Sequence, residues 1–384
     1  MSSGSAPNAV APPALTAARR PRHWPSADSE PIWRAPPGRA LLACVTSPDP
    51  TTTPLSVLVL GGTSWLGGAV ARHAQSRGHA VTCLARGSSG ATPPGVEHVV
   101  ADRDDPTTAY TSVQGRDWDA VIDVARQPQH VRGALDALVP RSHQWVFVST
   151  CSVYADDSTP GADESTALHE PWQGDGLAPD EAYGPAKVTC ELAVLDAVPD
   201  ALVARAGLIV GYGDRSDRFG YWPARFARAA ADERVLCPPA DQPVQVVDVE
   251  DLANWLVHGA VHRITGVMNA IGDAHRMGEL MDLCAGEAGG RGTVVPAPDE
   301  WLQDQEVAPW AGQDSLPLWL PMPAYAGFMA RANAAARAAG LTFRPLADSV
   351  RAALAWEHEQ GLHRARRAGL TPAREDALLG LLER

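Results

Sequence analysis

Ser56-Val57-Leu58-Val59-Leu60-Gly61-Gly62-Thr63-Ser64-Trp65-Leu66-Gly67 is the stretch on which the reading of the whole chain turns. A short apolar, β-branched run stops at two glycines. An amphipathic stretch from about Trp65 to Arg77 starts almost at once, with Gly78 as its C-cap. A strand passing through a glycine turn into a helix suits a phosphate-bearing ligand. Small residues let the backbone approach a pyrophosphate, and the helix N-terminus favours its charge. The spacing is G-x-x-S-x-x-G, with Ser64 at the middle small position, so the strict G-x-G-x-x-G is absent. A plain strand-to-helix turn would look the same in isolation, and the flanking sequence has to decide.

Downstream, Ala80–Leu84, Val96–Val100, Ala120–Val124 and Trp145–Ser149 read as further strands, with helical stretches between the later ones. Strands alternating with helices predict a parallel sheet, and their near-continuous apolar character predicts cover on both faces. A helix from about Tyr183 to Ala197 and a strand, Ala201–Val210, extend the unit. Past Gly211 the alternation weakens. Trp222–Ala231 reads as helix, Gln245–Val249 as a strand leading into a helix over Asp251–His262, and 296–328 as an irregular, Pro- and Trp-rich segment. Helices are expected around Ala330–Ala339, Leu346–Glu359 and Pro372–Leu382. The expected fold is α/β: a Rossmann-type doubly wound parallel sheet with a smaller C-terminal substrate lobe. Residues 55–210 form the nucleotide-binding domain and 211–384 mainly the lobe, with a return segment near 245–262 packing on the first domain.

Upstream, residues 1–54 hold eleven of the 33 prolines and show no periodicity, so they read as a disordered tail without chemistry. The 384 residues carry 32 basic and 45 acidic side chains, a net charge of −13 that argues against a nucleic-acid partner. No apolar run reaches the ~18–20 residues a membrane span needs. The six cysteines lie far apart without a CxxC pair, which argues against disulfides and a zinc ribbon and fits a cytoplasmic location. The twelve histidines have no metal-binding spacing, and no metal is expected.

Of the 32 basic residues only Lys187 is a lysine, and it stands four positions after Tyr183, one of six tyrosines. Residues i and i+4 share a helix face. An ammonium beside a phenol stabilises phenolate and lowers its pKa, which makes the tyrosine a usable proton donor or acceptor. Arginine, with its wide planar head, would tune the phenol differently. Ser149-Thr150-Cys151-Ser152-Val153-Tyr154 ends the fifth strand, where hydroxyls face the ligand cleft of a doubly wound sheet. At the end of the second strand stand Ala85, Arg86 and Gly87. With no acidic residue there to repel a ribose 2′-phosphate, and Arg86 placed to meet it, NADP(H) is expected to be preferred over NAD(H).

Glycine turn, S-T-x-x-V-Y and Y-x-x-x-K together resemble the extended short-chain dehydrogenase/reductases, the NAD(P)-dependent epimerase/dehydratase family, in the subgroup that opens with a G-G-T turn. The resemblance covers about residues 55–270. It implies Tyr183 as catalytic acid/base, Thr150 as the hydroxyl that holds the substrate oxygen, and Lys187 on the nicotinamide ribose. It places the cofactor's pyrophosphate on Gly61, Thr63, Ser64, Trp65, Leu66 and Gly67, and the adenine near Asp102. The implied activity is hydride transfer at a hydroxyl or keto carbon of a small molecule, reduction or epimerisation. Dehydration is disfavoured because Cys151 stands where an added acid/base pair is usual. A homodimer is compatible with it. The alternative is a non-catalytic, nucleotide-sensing or RNA-associated Rossmann protein, which would need no tuned phenol. Two further candidates lie outside the resemblance: Trp301, Trp310, Trp319 and Tyr325 as walls of an apolar pocket, and Arg215, Asp217 and Arg218 as a grip on an anionic group.

Overall fold

The computed structural model describes residues 53–174 and 176–382. The expected tail, apart from its last two residues, and Cys44 lie outside them. The elements in chain order are β1 (Ser56–Leu60), α1 (Trp65–Ser76), β2 (Ala80–Ala85), β3 (Glu97–Val100), β4 (Ala120–Asp123), α2 (Pro128–Leu138), β5 (Trp145–Thr150), α3 (Tyr183–Ala197), β6 (Leu202–Ala206), β7 (Leu208–Val210), α4 (Tyr221–Arg228), β8 (Arg234–Cys237), β9 (Pro243–Asp248), α5 (Val249–Val261), β10 (Gly266–Ala270), β11 (Ala274–Arg276), α6 (Met277–Glu287), β12 (Thr293–Pro296), α7 (Asp299–Asp304), β13 (Ala308–Trp310), β14 (Ser315–Pro317), α8 (Ala334–Ala338), α9 (Leu346–Gln360) and α10 (Pro372–Leu382).

Seven parallel strands form the central sheet in the order β10-β6-β5-β4-β1-β2-β3. The strand order reverses at β1, and the connections out of β1 and β4 run to opposite halves of the sheet, which opens a crevice at the carboxyl ends. Helices α1 and α5 cover one face through Ala69, Val70, Leu252 and Leu256. Helices α2 and α3 cover the other through Val131, Leu135, Cys190 and Val194. Both faces are therefore dry, which is why β1, β4 and β5 read as continuous apolar runs.

The apolar run 201–210 is two strands rather than one. Gly207 interrupts it where Ile271 packs so closely that a Cβ would lie 2.5 Å from its Cδ1. Helped by that glycine, β6 stays in the large sheet while β7 leaves to pair with β9 in a three-stranded sheet, order β11-β9-β7. The edge strand β10 gave no strand signal in the sequence, because its first three residues are only half-buried and a polar residue, Asn269, stands among its last two. The expected helix over 330–339 shrinks to α8. The remaining elements form a second core of Phe219, Trp222, Phe226, Met277, Leu280, Leu316, Trp319, Val350 and Leu378. The segment 296–328, expected to be irregular, holds α7 and the small parallel pair β13–β14.

Candidate active site

The turn after β1 is shaped by close backbone approaches. Gly61 takes a φ of +89°, open to glycine at little cost, and its N–H donates to Leu84 O at 2.9 Å. A Cβ on Gly62 would lie 2.2 Å from Cys83 Sγ, and one on Gly67 2.2 Å from Gly61 O. Ser64 is more than a small spacer. Its hydroxyl donates to Gly61 O (2.7 Å) and accepts from Gly67 N (3.2 Å), so it is the N-cap of α1. The amides of Trp65 and Leu66 precede the first intrahelical bond, Gly68 N to Ser64 O, and lie at the positive end of the helix. The side chains of Thr63 and Leu66 are buried. Trp65 turns its indole away, donating to Tyr212 O at 2.8 Å across to the loop after β7.

The ends of β2, β3 and β4 continue the same rim. Arg86 is half-exposed and faces Asp104 at 3.7 Å, and Asp104 also pairs with His130 at 2.6 Å. Asp102 is exposed, its carboxylate accepting from Asp104 N. Its neighbour Arg103, which sequence reasoning passed over, is buried. It grips Asp123 at the end of β4 with two bonds (2.8 and 2.9 Å) and also donates to Tyr110 Oη and His130 O. Burial alone would lower the Arg103 pKa, but Asp123 and Tyr110 outweigh it and hold the guanidinium charged. Asp123 also accepts from Ala125 N at 2.9 Å, fixing the peptide that follows. The signal that could have found Arg103 is a basic residue flanked by acids just after a strand, at the carboxyl edge of the sheet.

That peptide leads to Lys187. Its ammonium donates to Ala125 O (2.7 Å) and Val148 O (2.6 Å) and sits 4.0 Å from the centre of the Phe147 ring, almost fully buried. Burial pushes its pKa down to about 8. Tyr183 opens α3 one turn earlier, and Thr150 ends β5 with its hydroxyl bonded to Ser152. The Tyr183 phenol is raised above its ordinary pKa, first by burial. A hydrogen bond with Thr150 and the charges of Arg126 and Arg218 oppose that rise. Two carbonyls hold the Lys187 ammonium, and the largest influences opposing the rise at Tyr183 are Thr150 and the two arginines. Arg126 lies with its guanidinium 5.6 Å from the Tyr183 ring centre and is paired with Asp180 at 2.5 Å.

The loop after β7, residues 211–220, faces this group. Asp217 is buried and bound by Arg364, Arg366 and the amide of Arg367. Arg218 lies with its guanidinium 5.2 Å from the centre of the Trp310 ring. Of the aromatics expected to wall a pocket, Trp319, bonded to Asp299, and Trp310, against Arg218 of the loop, are both core residues, and Trp301 and Tyr325 pack beside that core. Among the described residues no cluster of His, Cys, Asp and Glu could hold a metal ion, no helix is long and apolar enough to cross a membrane, and the cysteines are free and buried.

Residues 57–137 match the model of the NAD dependent epimerase/dehydratase family. No curated protein matches the chain. Among solved structures, a UDP-Glc/GlcNAc 4-epimerase from Campylobacter jejuni is 15% identical, covers 79% of this chain and 99% of its own, and superposes with a TM-score of 0.59. The Bordetella bronchiseptica enzyme WbmF, solved in complex with NAD+, is 14% identical over 80% of this chain and 93% of its own, with a TM-score of 0.56. A UDP-N-acetylglucosamine 4-epimerase from Bacillus cereus is 16% identical over 79% and 99%, with a TM-score of 0.55. The chain shares their fold.

Proposed function

We propose that this chain, which has the fold of the extended short-chain dehydrogenases and matches the epimerase/dehydratase family over residues 57–137, is an NAD(P)-dependent oxidoreductase or epimerase. It acts at a hydroxyl or keto carbon of a small molecule. The observation that supports this reading is that Thr150 ends β5 and bears on the Tyr183 phenol, while Lys187, one turn on in α3, is bound to the carbonyls of Ala125 after β4 and Val148 in β5. The cofactor supplies the hydride acceptor or donor when bound. The chain's own residues fit it: the glycine turn admits no side chain at Gly62 or Gly67, and the α1 amides at Trp65 and Leu66 suit a pyrophosphate.

Tyr183 then exchanges a proton with the substrate oxygen, and Thr150 orients that oxygen by hydrogen bonding. Lys187, anchored by two carbonyls, keeps a third N–H for the ribose. A raised phenol pKa suits Tyr183 as the acid in carbonyl reduction. Arg86, half-exposed and only loosely paired with Asp104, supports NADP(H) as the preferred cofactor, and Asp102 borders the same rim. The test is a titration of NADP+ and NAD+ into wild type and Arg86→Ala. Wild type should bind NADP+ about ten- to a hundredfold more tightly, as expected from charge-assisted bonds of ~1.5–3 kcal/mol, and the variant should lose that preference. Equal affinities in wild type would refute the preference, and no binding of either would refute the function.

A further inference from the structure

Arg218 is a cation whose guanidinium has no hydrogen-bond acceptor among the described residues, in a loop whose neighbouring acid, Asp217, is already taken. Its neighbour Asp217 is taken by Arg364, Arg366 and Arg367 N, and Arg364 and Arg366 are completed by the fully buried Glu357. Asp214 is near enough to act on Arg218 electrostatically but makes no hydrogen bond to it. Its carboxylate accepts instead from Ser216 N and Oγ, at 2.8 and 3.0 Å. The Arg218 guanidinium makes no hydrogen bond to any described residue, and its Nε is sealed from solvent with no acceptor. The Trp310 Nε1 beneath it is likewise buried without one. Trp310 packs edge-on against Phe328, ring centres 5.2 Å apart at 84°. A stacked guanidinium keeps its donor edge free for two parallel bonds to an oxyanion. The loop that carries Arg218 is tied to the glycine turn by Trp65 Nε1, which donates to Tyr212 O at 2.8 Å, and the charges of Arg218 and Tyr183 act on one another.

Resting on the oxidoreductase reading above, we propose that Arg218 binds an oxyanion of the substrate, so that the substrate is a hydroxy or keto compound bearing a carboxylate or phosphate group. The anion is fixed on the guanidinium while the reacting oxygen reaches Tyr183 and Thr150. The long remote contact thereby orients the carbon that exchanges hydride. Arg364 and Arg366 do not serve in this way, because Asp217 and Glu357 neutralise them.

The test uses inorganic phosphate and succinate as probes, each titrated calorimetrically into the full chain with the cofactor site filled by saturating NADP+. Wild type should bind at least one of them at millimolar concentration. Arg218→Gln should weaken that binding at least tenfold. Arg218→Lys, which keeps the charge but not the fork, should weaken it by less than the Gln variant does. Binding of phosphate alone assigns a phosphorylated substrate, and binding of succinate alone a carboxylated one. NADP+ affinity and melting temperature, measured on the same samples, should be unchanged in both variants. The proposal is overturned if neither anion binds wild type at tens of millimolar, or if Arg218→Gln binds as wild type does. If the anions bind but neither NADP+ nor NAD+ does, it is the cofactor reading that fails, and the Arg218 variants still decide the anion site.

Discussion

Replacing Arg103 by methionine isolates the part of the site that the sequence hides best. The substitution removes two bonds to Asp123, at 2.8 and 2.9 Å, and bonds to Tyr110 Oη and His130 O, while leaving the Asp123 carboxylate wholly buried. Its remaining partner is the Ala125 amide. An uncompensated buried charge of this kind costs ~3–5 kcal/mol. Against a total stability of ~5–15 kcal/mol the variant should stay folded but melt well below wild type. The double variant Arg103→Met/Asp123→Leu removes the stranded charge and should recover much of the loss. It should stop short of wild type by ~1–3 kcal/mol, because the Ala125 amide then lacks an acceptor. Urea denaturation at pH 7 of wild type and both variants measures this directly. NADP+ affinity should fall in both, since Ala125 O anchors Lys187. A single variant that loses under ~1 kcal/mol, or a double variant no better than the single, would refute the argument that Asp123 depends on Arg103.

Lys187→Arg keeps the charge but places a wider head between two carbonyls and a phenyl ring in an almost fully buried slot. Turnover should fall ~100-fold through misplacement of the group, while overpacking costs ~1–3 kcal/mol, read by kcat and a thermal melt together. Because burial sets the Lys187 pKa at about 8, kcat/KM should decline as pH rises through 8. The cost of burying the ammonium is relieved over the same rise toward 10.5, so that group's contribution to stability improves while activity is lost. Glu250 is paired with Arg72 and His73 across α1 and α5; burial opposes its ionisation, yet those partners hold it down at about 2. Its stabilising effect is present above the unfolded value near 4.5 and lost as pH falls toward 2. The melting-temperature gap between wild type and Glu250→Gln should therefore close across that window. Gly67→Ala, whose Cβ would meet Gly61 O at 2.2 Å, should cut cofactor affinity at least tenfold by titration.

The middle of the sheet was legible because β1, β2, β4 and β5 are buried on both faces and announce themselves as short apolar runs closed by turn residues. The Tyr183–Lys187 spacing was legible because a single lysine among arginines is conspicuous. What stayed hidden depends on contacts distant in sequence. Nothing local says that Gly207 splits a strand, since the cause is Ile271 more than sixty residues on. Arg103 looks like one more charge in an acidic run until Asp123 is seen across from it. That Arg126 and Arg218 bear on Tyr183 depends on two loops far from α3 in the sequence. Ser64 was read as a small residue, and its hydroxyl proves to cap the helix, a role the local sequence Ser-x-x-Gly permits but does not demand.

Tyr183 is the residue through which the proposed proton transfer runs. Wild type and Tyr183→Phe should be incubated with NADP+ or NADPH and a panel of phosphorylated and carboxylated hydroxy and keto compounds. The change in nicotinamide absorbance is followed alongside NMR of the reacting carbon, so that reduction and epimerisation are both seen. The account predicts turnover by wild type, with Tyr183→Phe binding NADP+ as tightly but turning over ~100- to 10,000-fold more slowly, the range a positioned proton-transfer group supplies. Equal rates in the two proteins, or firm cofactor binding by wild type with no turnover across the panel, would contradict it.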